Sequence, residues 1–156
     1  MNKIILDKEQ IYAYQQNREP YLLIDFASEI VPGKSAKGYK DFNEDEWFFK
    51  VHWPTDPNVP GMLQIEALVQ MAALSILTLP NNKGKVMYLT NANNLKFIKK
   101  IIPNKRLYIN TETISFKRGL ASFKGEGVVD NEIVCKANFN LILPSELEKY
   151  NLRQKK

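Results

Sequence analysis

The longest apolar stretch of the chain covers residues 61–79 and follows a Pro-Gly step. Its polar side chains are Gln64, Glu66, Gln70, Ser75 and Thr78. A helix that is apolar on every side must be buried on every side, either in a bilayer or under a sheet. Glu66 and two glutamines in the first half disfavour the bilayer, because ionisable and polar groups are costly there. The pattern therefore predicts a long central helix covered by a sheet, without membrane insertion.

The second half of the chain is rich in β-branched and aromatic residues, in part alternating with polar ones, which predicts strands. The predicted strands are residues 86–90, 107–116, 121–129 and 133–143. Turn residues at 118–119 and 130–131 predict tight hairpins. Gly125 and Gly127 share one face of a strand, where small residues let a sheet bend closely over the helix. The predicted fold class is therefore α+β, with an antiparallel β-sheet wrapped around a long central α-helix.

The first half of the chain begins with a helix signal. Asp7 and Gln10 have the spacing of a capping box, which predicts a short helix that ends near residue 16. The apolar run 21–27 predicts a buried strand, and residues 35–42 predict a second strand after a Pro-Gly turn.

A chain of 156 residues is long enough for one domain with one core. We expect that domain over residues 1–146 and a basic, flexible tail over residues 147–156. The net charge of +5 favours an acidic partner, which is nucleic acid, an anionic membrane or an acidic protein. The single cysteine, Cys135, excludes an intramolecular disulfide and fits a reducing compartment. The first ten residues lack the apolar core of a signal peptide, so we expect a cytoplasmic protein.

Candidate chemistry is concentrated around the only histidine, His52. It opens a loop with prolines at positions 54, 57 and 60, and each proline restricts the path of the chain. The loop ends at Gly61, whose backbone N–H at the helix start can stabilise an oxyanion. Glu66 and Gln70 are four residues apart, so they lie on one face of the helix. A base, an acid and an oxyanion donor are thus available, but the spacing alone leaves structural roles for His52 and Glu66 equally open.

Three segments resemble a known enzyme family. Residues 52–61, His-Trp-Pro-Thr-Asp-Pro-Asn-Val-Pro-Gly, followed by Glu-Ala-Leu-x-Gln at 66–70, resemble the signature of FabZ-type 3-hydroxyacyl-acyl-carrier-protein dehydratases. That signature is His-Phe-Pro-Gly-His-Pro-x-x-Pro-Gly, then Glu-Ala-Leu-x-Gln. Residues 18–25 resemble the family's Arg-x-Pro-Phe-Leu-Leu-Val-Asp, and residues 96–103 resemble its Arg-Phe-Arg-Arg-Pro-Val-Val-Pro. The likeness extends over most of the chain, from about residue 10 to residue 143.

The resemblance implies the hotdog fold and a homodimer, in which His52 faces Glu66 of a second subunit. Family members are often trimers of dimers. The implied reaction removes water from a 3-hydroxyacyl thioester on acyl carrier protein. His52 would take the α-proton, Gly61 N–H would stabilise enolate-like charge, Glu66 would protonate the leaving hydroxyl, and Gln70 would orient Glu66 or a water. No metal or redox cofactor is implied, since the substrate is carried on phosphopantetheine.

Two loop residues depart from the FabZ pattern, because Thr55 replaces a glycine and Asp56 replaces the second histidine. Aspartate at that position is typical of FabA-type relatives, whereas Glu66 is typical of the FabZ type. The chain therefore resembles a divergent member, for which a polyene, polyketide or specialised lipid pathway is open beside fatty acid synthesis. Two rival functions are a non-catalytic hotdog protein that binds acyl carriers and a hotdog acyl thioesterase.

The densest basic stretch has two interpretations of equal weight. Its residues are Lys96, Lys99, Lys100, Lys105 and Arg106. One interpretation is a docking patch for acidic acyl carrier protein, for which we name Lys96, Lys99, Lys100 and Arg106. The other is a solvated strand edge that its lysines protect from aggregation. Nucleic acid is less favoured as a partner, because no recognition motif accompanies the charge.

Overall fold

The structure is a computed structural model that describes residues 2–154. Its strands are β1 (Ile4–Leu6), β2 (Phe26–Val31), β3 (Ser35–Phe42), β4 (Tyr88–Phe97), β5 (Lys105–Lys117), β6 (Leu120–Val129) and β7 (Glu132–Ile142). Its α-helices are α1 (Lys8–Tyr14), α2 (Gly61–Leu77) and α3 (Pro144–Gln154), and Trp47–Lys50 form a short 3₁₀ helix.

The strands form one antiparallel sheet in the order β1-β2-β3-β5-β6-β7-β4, and α2 packs against its inner face. Thirteen of the seventeen residues of α2 are buried, which confirms the predicted central helix and the α+β class. Within residues 2–154, no helix is long and apolar enough to cross a membrane. The sheet thus provides the enclosure that the apolar helix requires.

One glycine makes the close approach between sheet and helix possible. A Cβ atom on Gly38 would lie 2.6 Å from the Met71 methyl group and 1.9 Å from the Phe26 carbonyl oxygen. A Cβ atom on Gly125 would meet Leu68 at 3.4 Å, an ordinary contact distance, so the close approach does not require glycine at this position. Gly127 has a different neighbour, because a Cβ there would meet the Cys135 sulfur at 2.7 Å.

The N-terminal elements differ in part from the prediction. The capping box of α1 is confirmed, since the Asp7 side chain accepts from Gln10 N–H and the Gln10 side chain accepts from Asp7 N–H, both at 2.9 Å. The strand predicted over 21–27 is wrong in position, because β2 begins only at Phe26. Residues 22–24 are nevertheless fully buried. The Leu23 N–H donates to the Gln70 side chain of α2 rather than to a strand partner.

The second half of the chain follows the predicted strands with longer ends. Both hairpin turns are confirmed: Asp130 and Asn131 have φ of 50° and 64°, and Arg118 and Gly119 have φ of 54° and 82°. Paired positive φ values produce the tight turns whose twist matches that of the flanking strands. Strand β4 is the largest change, since it runs to Phe97 although the prediction ends at residue 90.

The C-terminal segment is helical over residues 144–154, and residues 155 and 156 of the predicted tail lie outside the described residues. Helix α3 follows the buried Leu143, and none of its residues is buried. The Arg118 guanidinium of the β5–β6 turn lies 4.3 Å from the centre of the Tyr150 ring. Gln154 also donates to the Tyr150 hydroxyl at 2.8 Å. The flexibility of residues 147–156 stays a prediction.

Candidate active site

The His52 imidazole is fixed by the loop that it opens. Its Nδ1 lies 3.1 Å from the Asn58 carbonyl oxygen, and its backbone N–H donates to Phe48 O at 2.8 Å. A carbonyl oxygen only accepts, so Nδ1 must carry the proton in this contact. The neutral ring therefore presents the lone pair of Nε2 outward, which is the arrangement of a general base.

Trp53 stabilises the same ring from one side. The indole and the imidazole stack with centroids 4.7 Å apart and planes 17° from parallel. Trp53 also has φ of 55°, a left-handed conformation that is uncommon for a bulky residue. Such conformations persist where the surrounding structure holds them, and they are frequent at functional sites. The strained backbone of the loop therefore lies directly beside the candidate base, His52.

Gly61 begins helix α2 directly after Pro60, which is the N-cap residue and offers no side-chain hydrogen bond. The first-turn N–H groups and the helix dipole therefore remain available to negative charge. A Cβ atom on Gly61 would lie 2.9 Å from a ring carbon of Phe97. A larger residue here would press against the Phe97 ring, which lies at the end of β4.

Glu66 lies in a partly buried position on the second turn of α2. Desolvation raises the pKa of its carboxyl above the usual value, and a hydrogen bond from Gln70 opposes this shift in part. Burial disfavours the charged form of a carboxyl group, so a larger fraction of Glu66 stays protonated near neutral pH. A carboxyl that keeps its proton is suited to act as a general acid.

Gln70 links the helix to the irregular segment before β2 through three hydrogen bonds. Its Oε1 accepts from Leu23 N–H at 2.8 Å, and its Nε2 donates to Tyr21 O at 2.9 Å and to Glu66 Oε1 at 3.0 Å. The Leu23 bond fixes which end of the amide is oxygen. Nε2 must therefore face Glu66, so Glu66 Oε1 is an acceptor and Oε2 is the oxygen free to carry the acidic proton.

The structure joins Glu66 to Gln70, but within residues 2–154 no hydrogen bond connects either of them to His52. The residues of α2 after Gly61 that are not buried are Met62, Leu63 and Glu66, all in the first two turns. Glu66 therefore lies near the end of α2 that the sheet of its own chain does not fully cover.

The basic residues predicted for docking are engaged in exposed ion pairs in three of four cases. Lys100 binds Asp56 at 2.7 Å, Arg106 forms a two-pronged pair with Asp41 at 2.7 and 2.8 Å, and Lys99 pairs with Glu132. The fourth, Lys96, makes no ion pair with any residue between 2 and 154.

A groove of about 940 Å³ lies on the outer face of the sheet, on the side opposite to α2. It is lined by side chains from five strands, including Lys37, Lys96 and Lys136. None of His52, Gly61, Glu66 and Gln70 belongs to its lining. The candidate catalytic residues are therefore separate from this polar groove.

Several residues of the site have no sequence signal of their own. Asn58 is missed because its backbone carbonyl, rather than its side chain, holds His52. Tyr21 and Leu23 also act through backbone atoms, which sequence patterns do not reveal. Phe97 is 36 positions from Gly61, so only the folded chain brings the two together.

A sheet wrapped around one buried helix, with a loop histidine and a helix glutamate, defines a hotdog protein with an acid–base site. A model of the FabA-like domain family matches residues 16–138, and the chain belongs to this family. The 3-hydroxyacyl-acyl-carrier-protein dehydratase FabZ of Bacillus subtilis is 35% identical over 139 residues, which are 89% of this chain and 99% of that protein. The FabZ dehydratase of Clostridium novyi is 39% identical over 124 residues, 76% of this chain and 87% of that protein.

Solved structures share the fold at low sequence identity. The dehydratase heterocomplex ApeI:P from Xenorhabdus doucetiae has a TM-score of 0.70 at 14% identity, over 90% of this chain and 95% of that one. A hypothetical thioesterase with coenzyme A from Streptococcus pneumoniae has a TM-score of 0.57 at 13% identity, over 75% of this chain and 83% of that one. One of these proteins is named a dehydratase and the other a hypothetical thioesterase, so the shared fold alone does not select an activity.

Proposed function

We propose that this chain is a 3-hydroxyacyl-acyl-carrier-protein dehydratase, a lyase that converts a 3-hydroxyacyl thioester into the trans-2-enoyl thioester and water. The reaction serves fatty acid biosynthesis or a related lipid, polyene or polyketide pathway, with acyl carrier protein as the carrier and the cytoplasm as the location. The observation that carries the proposal is a loop imidazole with Nε2 left to accept a proton, combined with a buried carboxyl of raised pKa. The FabZ relatives support the same chemistry.

In the proposed reaction, His52 Nε2 removes the α-proton of the thioester, and its Nδ1–H stays bound to Asn58 O. Gly61 N–H, at the positive end of α2, stabilises the negative charge that develops on the thioester oxygen. Glu66 Oε2 then donates its proton to the 3-hydroxyl, which leaves as water. A proton transfer from His52 back to Glu66 restores both groups, so the cycle needs no metal or redox cofactor.

We further propose that the site is formed between the subunits of a homodimer. Strand β4 is ten residues long, lies at one end of the sheet and, among the strands of residues 2–154, pairs with β7 alone. Large apolar side chains are exposed on it or next to it: Tyr88, Leu89, Phe97 and Ile98. A long edge strand with one unpaired side favours pairing with another chain. A second copy there would cover the exposed start of α2 around Glu66, and dimers of this kind can assemble further into a trimer of dimers.

The test uses two inactive variants and their mixture. We expect His52→Ala and Glu66→Gln each to abolish hydration of a 2-enoyl thioester while the dimer stays folded. If each site takes His52 from one subunit and Glu66 from the other, refolding the two variants together restores about a quarter of wild-type activity, because half the dimers then hold one intact site of two. A mixture without activity would contradict the shared site, and activity in either single variant would contradict the mechanism.

The carrier-docking proposal rests on Lys96, Lys99 and Arg106, whereas Lys100 binds Asp56 of the histidine loop. Exposed ion pairs contribute little to stability, so carboxylates of an acidic carrier can compete with the local partners of these side chains. We expect Lys96→Glu to raise KM for a carrier-bound substrate and to leave KM for the coenzyme A thioester unchanged. Lys117→Glu, the same charge change at the far end of β5, is the control and is expected to have little effect. Equal KM changes for both carriers would contradict docking at Lys96.

The rival functions are tested in the same assay series. Carrier-bound and coenzyme A thioesters of different acyl length are offered, and both water elimination and free thiol release are followed. Thiol release without elimination would identify a thioesterase. Tight binding of the acyl carrier without either reaction would identify a non-catalytic carrier-binding protein.

A further inference from the structure

Asp56 and Lys100 form an ion pair between the histidine loop and the segment after β4. The Lys100 Nζ atom lies 2.7 Å from Asp56 Oδ1, although the two residues are 44 positions apart. Two further contacts join the same parts of the chain. Val59 N–H donates to Ile101 O at 2.8 Å, and the Phe97 ring lies against Gly61. The loop is thus fastened to this segment at its middle and at its end.

Asp56 is also connected to His52 through a short chain of hydrogen bonds. The Asp56 carbonyl oxygen accepts from the Asn58 side-chain amide at 2.8 Å. The Asn58 carbonyl oxygen in turn accepts from His52 Nδ1 at 3.1 Å. Asp56 N–H donates to Trp53 O at 2.8 Å, which closes the turn next to the stacked indole. Lys100 binds the Asp56 carboxylate and Asn58 binds the Asp56 carbonyl, so the backbone of the loop completes the connection between Lys100 and the imidazole.

Both members of the pair depart from the family pattern that the sequence resembles. That pattern has histidine at the position of Asp56 and proline at the position of Lys100, and no ion pair can form between those two side chains. In this chain the two departures are in direct contact.

We propose that Lys100 is a positioning residue for His52, acting through Asp56 and Asn58, and that its function is to hold the histidine loop rather than to dock the carrier. This inference rests on the proposed role of His52 as the base. The side chains of Lys100 and Asp56 are 57% and 52% exposed, so their coupling is modest and salt-sensitive. We expect a loss of about twofold to fivefold in kcat when the pair is broken.

The kinetic test is a double-mutant cycle on the full-length protein. Lys100→Met and Asp56→Asn are each expected to lower kcat by the same factor for carrier-bound and coenzyme A thioesters, with KM for the carrier unchanged. The double variant should be no worse than either single one, and the exchanged pair Asp56→Lys with Lys100→Asp should recover activity. The control is Lys124→Met, because the Lys124–Glu112 pair has nearly the same exposure, 58% and 55%, and does not contact the loop.

A second readout does not depend on activity. His52 is the only histidine, so its ring nitrogens give one set of NMR signals that need no assignment. In alkaline buffer, where the ring is neutral, we expect the wild type to show Nδ1 protonated. Lys100→Met and Asp56→Asn should each shift the ring toward a mixture of tautomers, and the exchanged pair should restore it.

Three results would overturn the inference. An increase in KM confined to the carrier-bound substrate would make Lys100 a docking residue. Additive losses in the cycle would show that the pair is not coupled, and an unchanged tautomer in all variants would show that it does not position the ring. A wild type without dehydratase activity would refute the proposed function, whereas the NMR comparison would still decide the positioning role.

Discussion

Replacement of Gln70 by leucine is the most direct test of how the acid side of the site is built. Gln70 is 4% exposed and is the only described partner of the buried Leu23 N–H. Leucine has a similar shape but can neither accept from Leu23 nor donate to Tyr21 O and Glu66. The change therefore leaves a buried donor and a partly buried acceptor unsatisfied, while the apolar packing of α2 is kept.

The expected size of the effect follows from these lost bonds. Each unsatisfied buried polar group costs about 1–3 kcal/mol, so we expect Gln70→Leu to lower the free energy of unfolding by about 2–4 kcal/mol. Loss of the bond to Glu66 also removes the one contact that lowers the pKa of this carboxyl, so that pKa rises further. Glu66 then holds its proton without a fixed orientation, and we expect kcat to fall by roughly fivefold or more.

The matched control is Gln64→Leu on the same helix. Gln64 is 3% exposed and makes one hydrogen bond, from Nε2 to Val59 O at 3.0 Å, while its Oε1 has no partner within residues 2–154. Gln64→Leu removes the unpaired Oε1 atom and leaves the Val59 carbonyl oxygen without its partner. The free energy of unfolding should therefore fall by no more than about 1 kcal/mol. Urea unfolding followed by circular dichroism, at one protein concentration, measures both variants. A Gln70→Leu loss no larger than that of Gln64→Leu would refute the proposed support of the 21–25 segment.

Three further predictions concern single groups. Because the pKa of Glu66 is raised in the folded protein, the wild type loses stability as pH rises from the unfolded-state pKa near 4.5 through the folded pKa. Glu66→Gln should lack this loss, so between pH 4 and pH 8 its urea midpoint should rise relative to that of the wild type. A difference between the two midpoints that does not change with pH would contradict the burial argument. Gly61→Ala should cost about 1 kcal/mol, because the new Cβ meets the Phe97 ring, and adding Phe97→Leu should recover the urea midpoint. Burial raises the pKa of the Cys135 thiol to about 11, so a thiol-specific dye should react at pH 8 only in concentrated urea, and rapid reaction of the folded protein would show that the β6–β7 region opens.

Regular elements could be predicted from the sequence where the residues that determine them are close together in the chain. The α1 capping box and the 130–131 turn depend on residues within a few positions of one another, and both are confirmed. The strand predicted at 21–27 fails for the opposite reason. Its apolar residues are buried as expected, but a glutamine 47 positions away satisfies the backbone of Leu23, so no strand partner is needed there. A pattern of apolar residues indicates burial and does not reveal which group bonds the backbone.

The sequence by itself determined that one apolar helix is enclosed by a sheet, and that a proline-restricted histidine loop leads into that helix close to a lone glutamate. These features follow from residue spacing and from the cost of exposing apolar or charged groups in the wrong medium. Only the tertiary structure decided how the site is held: Asn58 O selects the tautomer of His52, Gln70 orients Glu66, and Lys100 meets Asp56 across 44 positions. Hydrogen bonds and ion pairs act over about 3 Å, so they depend on distances that only the folded chain establishes.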